Sequence, residues 1–223
     1  MNLSIGSEHN RRSQAPQGSQ IDDWACSLVN SVAGCAVVGV MSGSRFPNDR
    51  RTVDGLATKL ASSLQSKVAD PRMLLLRLNV FHSANLERQV DQSSNAPKPT
   101  RSPFGAWSDV EVPVPIGRTA SWSLERLPHW VWAWRRSFGL IAIDLGPMHQ
   151  VPSRVLGRLC DHAFILLGPD SCASPDWIKT QIDWHRRSGV TVAGTLVTSM
   201  TYASEVDREV STSVKLGEQR RAA

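Results

Sequence analysis

The feature that most constrains the fold is an alternation of short apolar runs with segments of helical periodicity. The apolar runs are rich in Val, Ile and Leu, as buried parallel strands are, and they cover residues 35–41, 71–81, 139–146, 162–168 and 190–197. After the first run, Val53, Leu56, Leu60 and Leu64 recur at three- and four-residue steps, which indicates an amphipathic helix. Strands that alternate with helices form right-handed crossovers in a mostly parallel sheet. The sequence therefore predicts an α/β fold, a three-layer sandwich around a mostly parallel central sheet.

The polar ends of the chain set its predicted domain boundaries. Residues 1–20 are predicted to be a disordered tail because they carry too little apolar surface to order themselves. Residues 21–200 form the predicted α/β domain, and residues 201–223 a flexible C-terminal tail. Further helices are predicted over residues 21–33, 123–138, 151–160 and 174–189, with Pro128 expected to begin or kink its helix. Residues 109–117 contain two prolines and are predicted to form an edge strand, preceded by an irregular insertion over residues 93–108.

Composition and charge narrow the functional classes. The net charge of +5 is spread over isolated arginine doublets, whereas a nucleic-acid-binding face concentrates its charge on one element. No apolar run approaches the roughly 20 residues that span a bilayer, and the amino terminus has no secretory apolar region. The four cysteines are too far apart in the sequence for paired zinc or redox motifs. We therefore expect a cytoplasmic protein that does not bind nucleic acid and holds no metal through cysteine.

The loop after the first strand has the position of a phosphate-binding P-loop but not its residues. A P-loop needs glycines before a lysine and then Ser or Thr at the start of a helix, whereas this loop ends in the letters PNDRRT, residues 47–52. If Arg50 replaces the lysine, Asp49 takes the glycine position and Arg51 the hydroxyl position. If Arg51 replaces it, Thr52 supplies the hydroxyl but Arg50 takes the glycine position. Neither alignment satisfies the whole pattern, although Asn and Asp tolerate left-handed backbone and could keep part of the loop's shape.

The rest of the chain makes a chance match less convincing. Four motif-bearing segments follow one another along the chain: VVGVMSGS…RTVDGLATKLASSL, MLLLRLNVFHSANL, FGLIAIDLGPMHQVP and DHAFILLGPDSCASPDWIKTQIDWHRRSGVTVAGTLV. Over residues 24–198 this order resembles the bacterial tyrosine kinase branch of the MinD/ParA-type deviant Walker ATPases, which acts in capsule and exopolysaccharide synthesis. The resemblance implies a P-loop NTPase-like fold, ATP with Mg²⁺ as cofactor, and a membrane-embedded polysaccharide chain-length regulator as partner.

This sequence departs from that family's pattern at positions that the family uses for magnesium binding and tyrosine phosphorylation. The two aspartates that the family carries on its second strand fall at Arg77 and Asn79 here, so the carboxylate expected to organise magnesium is missing. Asp144 and Pro147 keep the Walker B spacing, and Asp144 is either a magnesium-directed carboxylate or simply the cap of the next turn. The family phosphorylates a tyrosine-rich tail, whereas this chain has one tyrosine, Tyr202.

Aromatic and histidine residues offer further candidate sites. Trp130 and Trp134 are predicted to share one helix face with Trp132 pointing away, which suits either core packing or a protein-binding surface. Two more tryptophans, Trp177 and Trp184, are seven residues apart and are predicted to lie in the core. His149 follows the Walker B segment closely and could contact a ligand there.

Three hypotheses therefore follow from the sequence. The favoured one is a degenerate P-loop protein that acts as a non-catalytic regulatory or binding partner in exopolysaccharide biosynthesis or export. Under this hypothesis the protein can also form oligomers. The alternative is an ATP-binding protein, kinase-like or MinD/ParA-like, whose unconventional site uses Arg50 or Arg51, Thr52 and Asp144. The third is an unrelated α/β binding protein.

Overall fold

The computed structural model describes residues 18–31, 35–44, 48–67, 71–82, 96–116, 121–168 and 173–198. The five helices among them are α1 (Gly18–Ser31), α2 (Arg50–Gln65), α3 (Ser121–Trp134), α4 (Val151–Leu156) and α5 (Pro175–Arg187). The strands are β1 (Ala36–Ser42), β2 (Met73–His82), β3 (Thr100–Arg101), β4 (Ser108–Ile116), β5 (Leu140–Pro147), β6 (His162–Leu167) and β7 (Val192–Val197). None of these helices is both long and apolar enough to cross a membrane.

All seven strands form one sheet in the order β3-β4-β2-β5-β1-β6-β7, and every pairing except β3 with β4 is parallel. Helices cover both faces of this sheet. The core on one face packs against α1 and α2, and the core on the other packs against α3, with contributions from α4 and α5. The predicted three-layer α/β sandwich with a mostly parallel sheet is confirmed.

The order of the strands places a crevice between β1 and β5. From β1 the chain crosses to β2 on one side, and from β5 it crosses to β6 on the other, so the connections diverge where β1 and β5 pair. In open α/β sheets, ligands bind outside the carboxyl ends of the strands at such a switch point. The segment after Ser42 and the residues from Asp144 to Pro147 both lie at this end.

Proline affects two elements in different ways. Pro113 and Pro115 of β4 lie beyond the two residues that pair with β3, so the predicted edge position holds for that part of the strand. By contrast, Pro128 lies inside α3, which begins seven residues earlier, so the expectation that it would start the helix is wrong. A proline inside a helix costs roughly 3 kcal/mol, and burial of Leu127, Trp130 and Val131 around it compensates.

Tryptophans on α3 and α5 test the helical-face predictions. Trp130 and Trp134 are 7% and 5% exposed with ring centroids 6.5 Å apart, whereas Trp132 is 59% exposed. The predicted division of the α3 tryptophans is thus confirmed. On α5, Trp177 is partly buried but Trp184 is 49% exposed, so the core position predicted for Trp184 is wrong. Its ring instead packs against the side chain of Arg154 on α4, 4.6 Å from the guanidinium carbon.

Candidate functional site

The start of the candidate loop is fixed tightly against β6. Gly43 donates its backbone N–H to the carbonyl of Leu166 at 2.8 Å, and Ser44 donates its own to the hydroxyl of Ser42 at 3.3 Å. A Cβ added to Gly43 would lie 2.3 Å from Leu167 Cδ2 and 3.0 Å from the Leu166 carbonyl oxygen. Only glycine therefore allows the chain to leave β1 so close to β6. Residues 45–47 lie outside the described residues.

The carboxyl end of the loop enters α2 in an ordinary extended conformation. Asp49 precedes the helix with φ −60° and ψ 132°, and its side chain makes no capping hydrogen bond. Among the described residues, positive φ angles occur only at glycines. The expectation that Asn48 or Asp49 would keep the loop's shape through left-handed backbone is therefore wrong. The reason is local: an extended residue is what the position before a helix usually requires.

The predicted ligand-binding residues of α2 occupy its first turn. Arg50 and Arg51 are exposed and Thr52 is half-buried. The helix is 16 residues long, and its unpaired N–H groups and dipole favour an anion at this end. Asp49 places an exposed carboxylate at the same point, which opposes a second negative charge. The first turn of α2 is thus a mixed-charge surface.

Asp144 lies in the carboxyl-terminal half of β5, three residues before the strand ends at Pro147. One of its oxygens, Oδ1, accepts hydrogen bonds from Asn48 Nδ2 at 2.9 Å and from the backbone N–H of Gly146 at 3.2 Å. Burial raises the pKa of Asp144, although these two hydrogen bonds and the positive charge of Arg77 act in the opposite direction. Gly146 has a φ of +69°, which only glycine adopts readily. Both roles expected for an aspartate near a strand end, capping of the next turn and ligand binding, are compatible with this geometry.

Arg77 is a buried cation beside that carboxylate. It is 8% exposed, and its Cα is the register partner of Asp144 in the neighbouring strand. Its Nε donates to Asp109 Oδ1 at 3.2 Å, and its Nη2 forms an ion pair with Asp54 Oδ1. Burial alone would lower the pKa of Arg77, but the charges and hydrogen bonds of Asp109 and Asp54 raise it above its ordinary value. The guanidinium therefore stays charged and links β2, β4 and α2.

Asn48, Asp54 and Asp109 were not predicted from the sequence. A lone arginine inside the apolar strand MLLLRLNV does signal that a carboxylate must lie nearby, because an unpaired buried charge is strongly unfavourable. Nothing in the sequence indicates which carboxylates provide the pairing. The side chain of Asn79, the other position where the family has aspartate, lies outside the described side chains. No three His, Cys, Asp or Glu side chains in the described part of the chain are grouped to hold a metal ion.

His149 lies between β5 and α4, and its ring packs towards α5. The centroids of its ring and that of Trp177 are 6.4 Å apart, and its carbonyl oxygen accepts a hydrogen bond from Arg154 Nη2 at 3.1 Å. It is therefore part of the packing between α4 and α5. Tyr202 lies outside the described residues.

Solved structures with a similar fold include bacterial kinase domains. The BceF tyrosine kinase domain is 17% identical, with a TM-score of 0.54 over 81% of this chain and 74% of its own. The kinase domain of the Escherichia coli tyrosine kinase ETK is 12% identical, with a TM-score of 0.55 over 87% and 84% of the two chains. The VpsO kinase domain is 14% identical, with a TM-score of 0.52 over 83% and 100%.

No protein-family profile matches the sequence, and no curated protein is significantly similar to it. At these identities the likeness to solved structures concerns the fold, and there it agrees with the resemblance found in the sequence. The chain has the P-loop NTPase-like fold of bacterial tyrosine kinase domains.

Proposed function

We propose that this chain is a P-loop NTPase-like protein without efficient catalysis, acting in the cytoplasm as a regulatory or binding partner in exopolysaccharide biosynthesis or export. The observation that carries the proposal is the buried guanidinium of Arg77 beside Asp144. It stands on the strand where the resembling kinases carry a magnesium-organising aspartate.

Electrostatics explains why this arrangement disfavours magnesium. A divalent cation about 5 Å from a guanidinium is repelled by about 7 kcal/mol at an effective dielectric of about 20. Asp54 and Asp109 offset part of this repulsion, but both carboxylates are ion-paired with Arg77, so a metal ion would have to compete with the guanidinium for their oxygens. Of the described acidic groups around Arg77, Asp144 alone remains to attract a metal, and it is hydrogen-bonded to Asn48 and Gly146.

Electrostatic repulsion also weakens phosphate binding at the start of α2. Asp49 stands directly before the first turn of α2, where a phosphate would bind. Two negative charges about 4 Å apart repel each other by roughly 4 kcal/mol at an effective dielectric of about 20. Such a cost corresponds to about three decades of affinity. Arg50 and Arg51 reduce it, but an arginine fork does not reproduce the point charge of a P-loop lysine.

The partner and pathway rest on the resemblance to the exopolysaccharide kinases. That resemblance suggests a membrane-embedded polysaccharide chain-length regulator as the protein that this chain binds. A binding module needs the fold and its surface but not the chemistry, and the fold is retained here.

A second candidate function is an ATP-binding protein with an unconventional site. It is favoured by the exposed Arg50 and Arg51 on the first turn of α2, with Thr52 beside them and Asp144 across the crevice. In that case ATP with Mg²⁺ would be the cofactor, with Arg51 replacing the lysine and Thr52 supplying the metal-directed hydroxyl.

A turnover assay tests the loss of catalysis. The full-length chain is incubated with ATP and Mg²⁺, and released phosphate and phosphotyrosine are both measured. We expect no turnover above the buffer background. Turnover that disappears in Asp144→Ala would overturn the proposal, whereas turnover that persists in this variant would reveal a contaminating enzyme.

A binding assay tests the regulatory role separately. The purified chain is titrated against the cytoplasmic segment of a polysaccharide chain-length regulator from the same genome. Saturable binding supports the proposed partner. If no such binding occurs while turnover is also absent, the pathway is wrong although the loss of catalysis stands.

A further inference from the structure

Helix α5 is anchored by a histidine. Its most deeply buried side chain is that of His185, which is 0% exposed and is the one fully buried residue of the helix. Trp177 and Ile182 are only partly buried against the core, and Trp184 is half-exposed. An amphipathic helix normally docks through fully buried aliphatic residues. Here the residue in that position can change its charge between about pH 5 and pH 8.

The imidazole of His185 is hydrogen-bonded through only one of its two nitrogens. Nδ1 lies 2.8 Å from the carbonyl oxygen of Gln181, one turn earlier, so it carries the proton in the neutral ring. The other nitrogen, Nε2, is buried and has no hydrogen-bond partner. The Nε of Arg154, which can only donate a hydrogen bond, is likewise buried without a partner. Protonation of Nε2 would therefore create an incompletely solvated charge inside the protein.

The charges around His185 make that charge more costly. On α4, Arg154 is the charged group that acts on the ring, and it is held in place by its contacts with the carbonyl of His149 and the ring of Trp184. Arg158, in the turn after α4, donates to the carbonyl of Ser188 at the end of α5. On α5 itself, Asp183 and Arg186 lie on either side of His185 in the sequence and carry opposite charges.

We propose that α5 is a pH-operated latch, in which protonation of His185 in mildly acidic solution releases the helix from α4 and uncovers Trp177. The neutral imidazole fits the contact, and the imidazolium beside Arg154 does not. Neither a nucleotide nor the proposed partner takes part in this latch, because its contacts join α5 to α4 and the turn that follows α4.

The direction of the pH effect follows from the fold. Burial lowers the pKa of His185 below its ordinary value of 6.5, and Arg154 lowers it further, while the hydrogen bond to the Gln181 carbonyl acts in the opposite direction. The unfolded or released helix therefore binds the proton more readily than the docked one. Docking is fully favourable above 6.5 and weakens as the pH falls below that value.

Hydrogen exchange of the full-length protein tests the latch. Amide protection of residues 175–187 is compared with that of α2 at about pH 7.5 and about pH 5.5, after correction for intrinsic exchange. We expect α5 to lose about tenfold in protection relative to α2 on acidification. The variant His185→Leu, which keeps an uncharged side chain there, should lose this response. His129→Gln, a change at an exposed histidine of α3, should respond as the natural protein does.

Unchanged α5 protection in the natural protein, or an equal loss in His185→Leu, would overturn the latch. If His185→Leu does not fold, an NMR titration of the histidine ring protons in the natural protein tests the latch instead. A His185 resonance that titrates below 6.5 together with shifts in the Trp177 and Trp184 signals supports the latch. Titration of His185 without movement of those signals contradicts it.

Discussion

Arg77 of β2 and Asp144 of β5 are the last register partners of these two adjacent parallel strands, on the sheet face that α2 covers. A fixed cation thus lies beside the one Walker B-like carboxylate of the crevice. This position lets the guanidinium form ion pairs with Asp54 and Asp109. It also makes Arg77 a link between three elements of the fold.

Replacing Arg77 by methionine should destabilise the protein by about 3 kcal/mol, because it leaves Asp54 and Asp109 largely buried without their counter-charge. Denaturant unfolding at neutral pH measures this change. Arg101→Met, at an exposed position of β3, is the matched control and should change stability by less than about 0.5 kcal/mol. Equal effects of the two variants would show that the buried ion pairs contribute nothing specific.

The variant Asp144→Asn should raise the melting temperature at neutral pH. Burial raises the pKa of Asp144, so the folded state binds its proton more tightly than the unfolded state does. The cost of ionising it is therefore absent below its unfolded pKa and grows as the pH rises through the folded value. The gain from the uncharged amide should accordingly shrink on acidification. Glu111→Gln, at an exposed position of β4, should show no such gain, and a destabilised Asp144→Asn would contradict the account.

Gly43→Ala should be strongly destabilising because the new methyl group would collide with Leu167 and with the backbone of Leu166. We expect a loss of about 1–3 kcal/mol in thermal unfolding. Gly194→Ala is the control within the same sheet, since its Cβ would meet nothing closer than Phe164 at 3.8 Å. Similar losses at both glycines would mean that the close approach of β1 to β6 is not required.

Alanine substitutions of the buried and the exposed tryptophans of α3 should lower the free energy of unfolding by clearly different amounts. Trp130→Ala removes a buried ring and should cost about 3–5 kcal/mol in unfolding free energy. Trp132→Ala removes an exposed ring whose main described contact is Arg136, 3.8 Å from its centroid. Its effect should stay below about 1 kcal/mol. A large loss at Trp132 would indicate that this ring is covered in solution.

The fold could be predicted because strands buried on both faces leave long apolar runs in the sequence. The order of the elements then predicted a parallel sheet with helical crossovers. No local sequence pattern, however, predicts that β5 lies between β1 and β2. The exposure of Trp184 escaped prediction for a related reason. Helical spacing tells which residues share a face but not how much of that face the rest of the protein covers, and Arg154 covers it only in part.

The site could be predicted only in its backbone position. The strand–loop–helix pattern located the loop, and the Asp-x-x-Pro spacing located Asp144. The partners that set its charge balance come from distant parts of the chain: Asn48 lies 96 residues from Asp144, and Asp109 lies 32 residues from Arg77. Such long-range pairs depend on strand order and register, which the sequence alone does not specify.

The central claim is that this crevice does not bind a nucleotide with magnesium tightly. Isothermal titration calorimetry of the full-length chain with ATP and Mg²⁺ tests it most directly, with Arg51→Ala measured alongside. The account predicts no saturable heat at micromolar ATP for either protein. Micromolar binding that disappears in Arg51→Ala would contradict it.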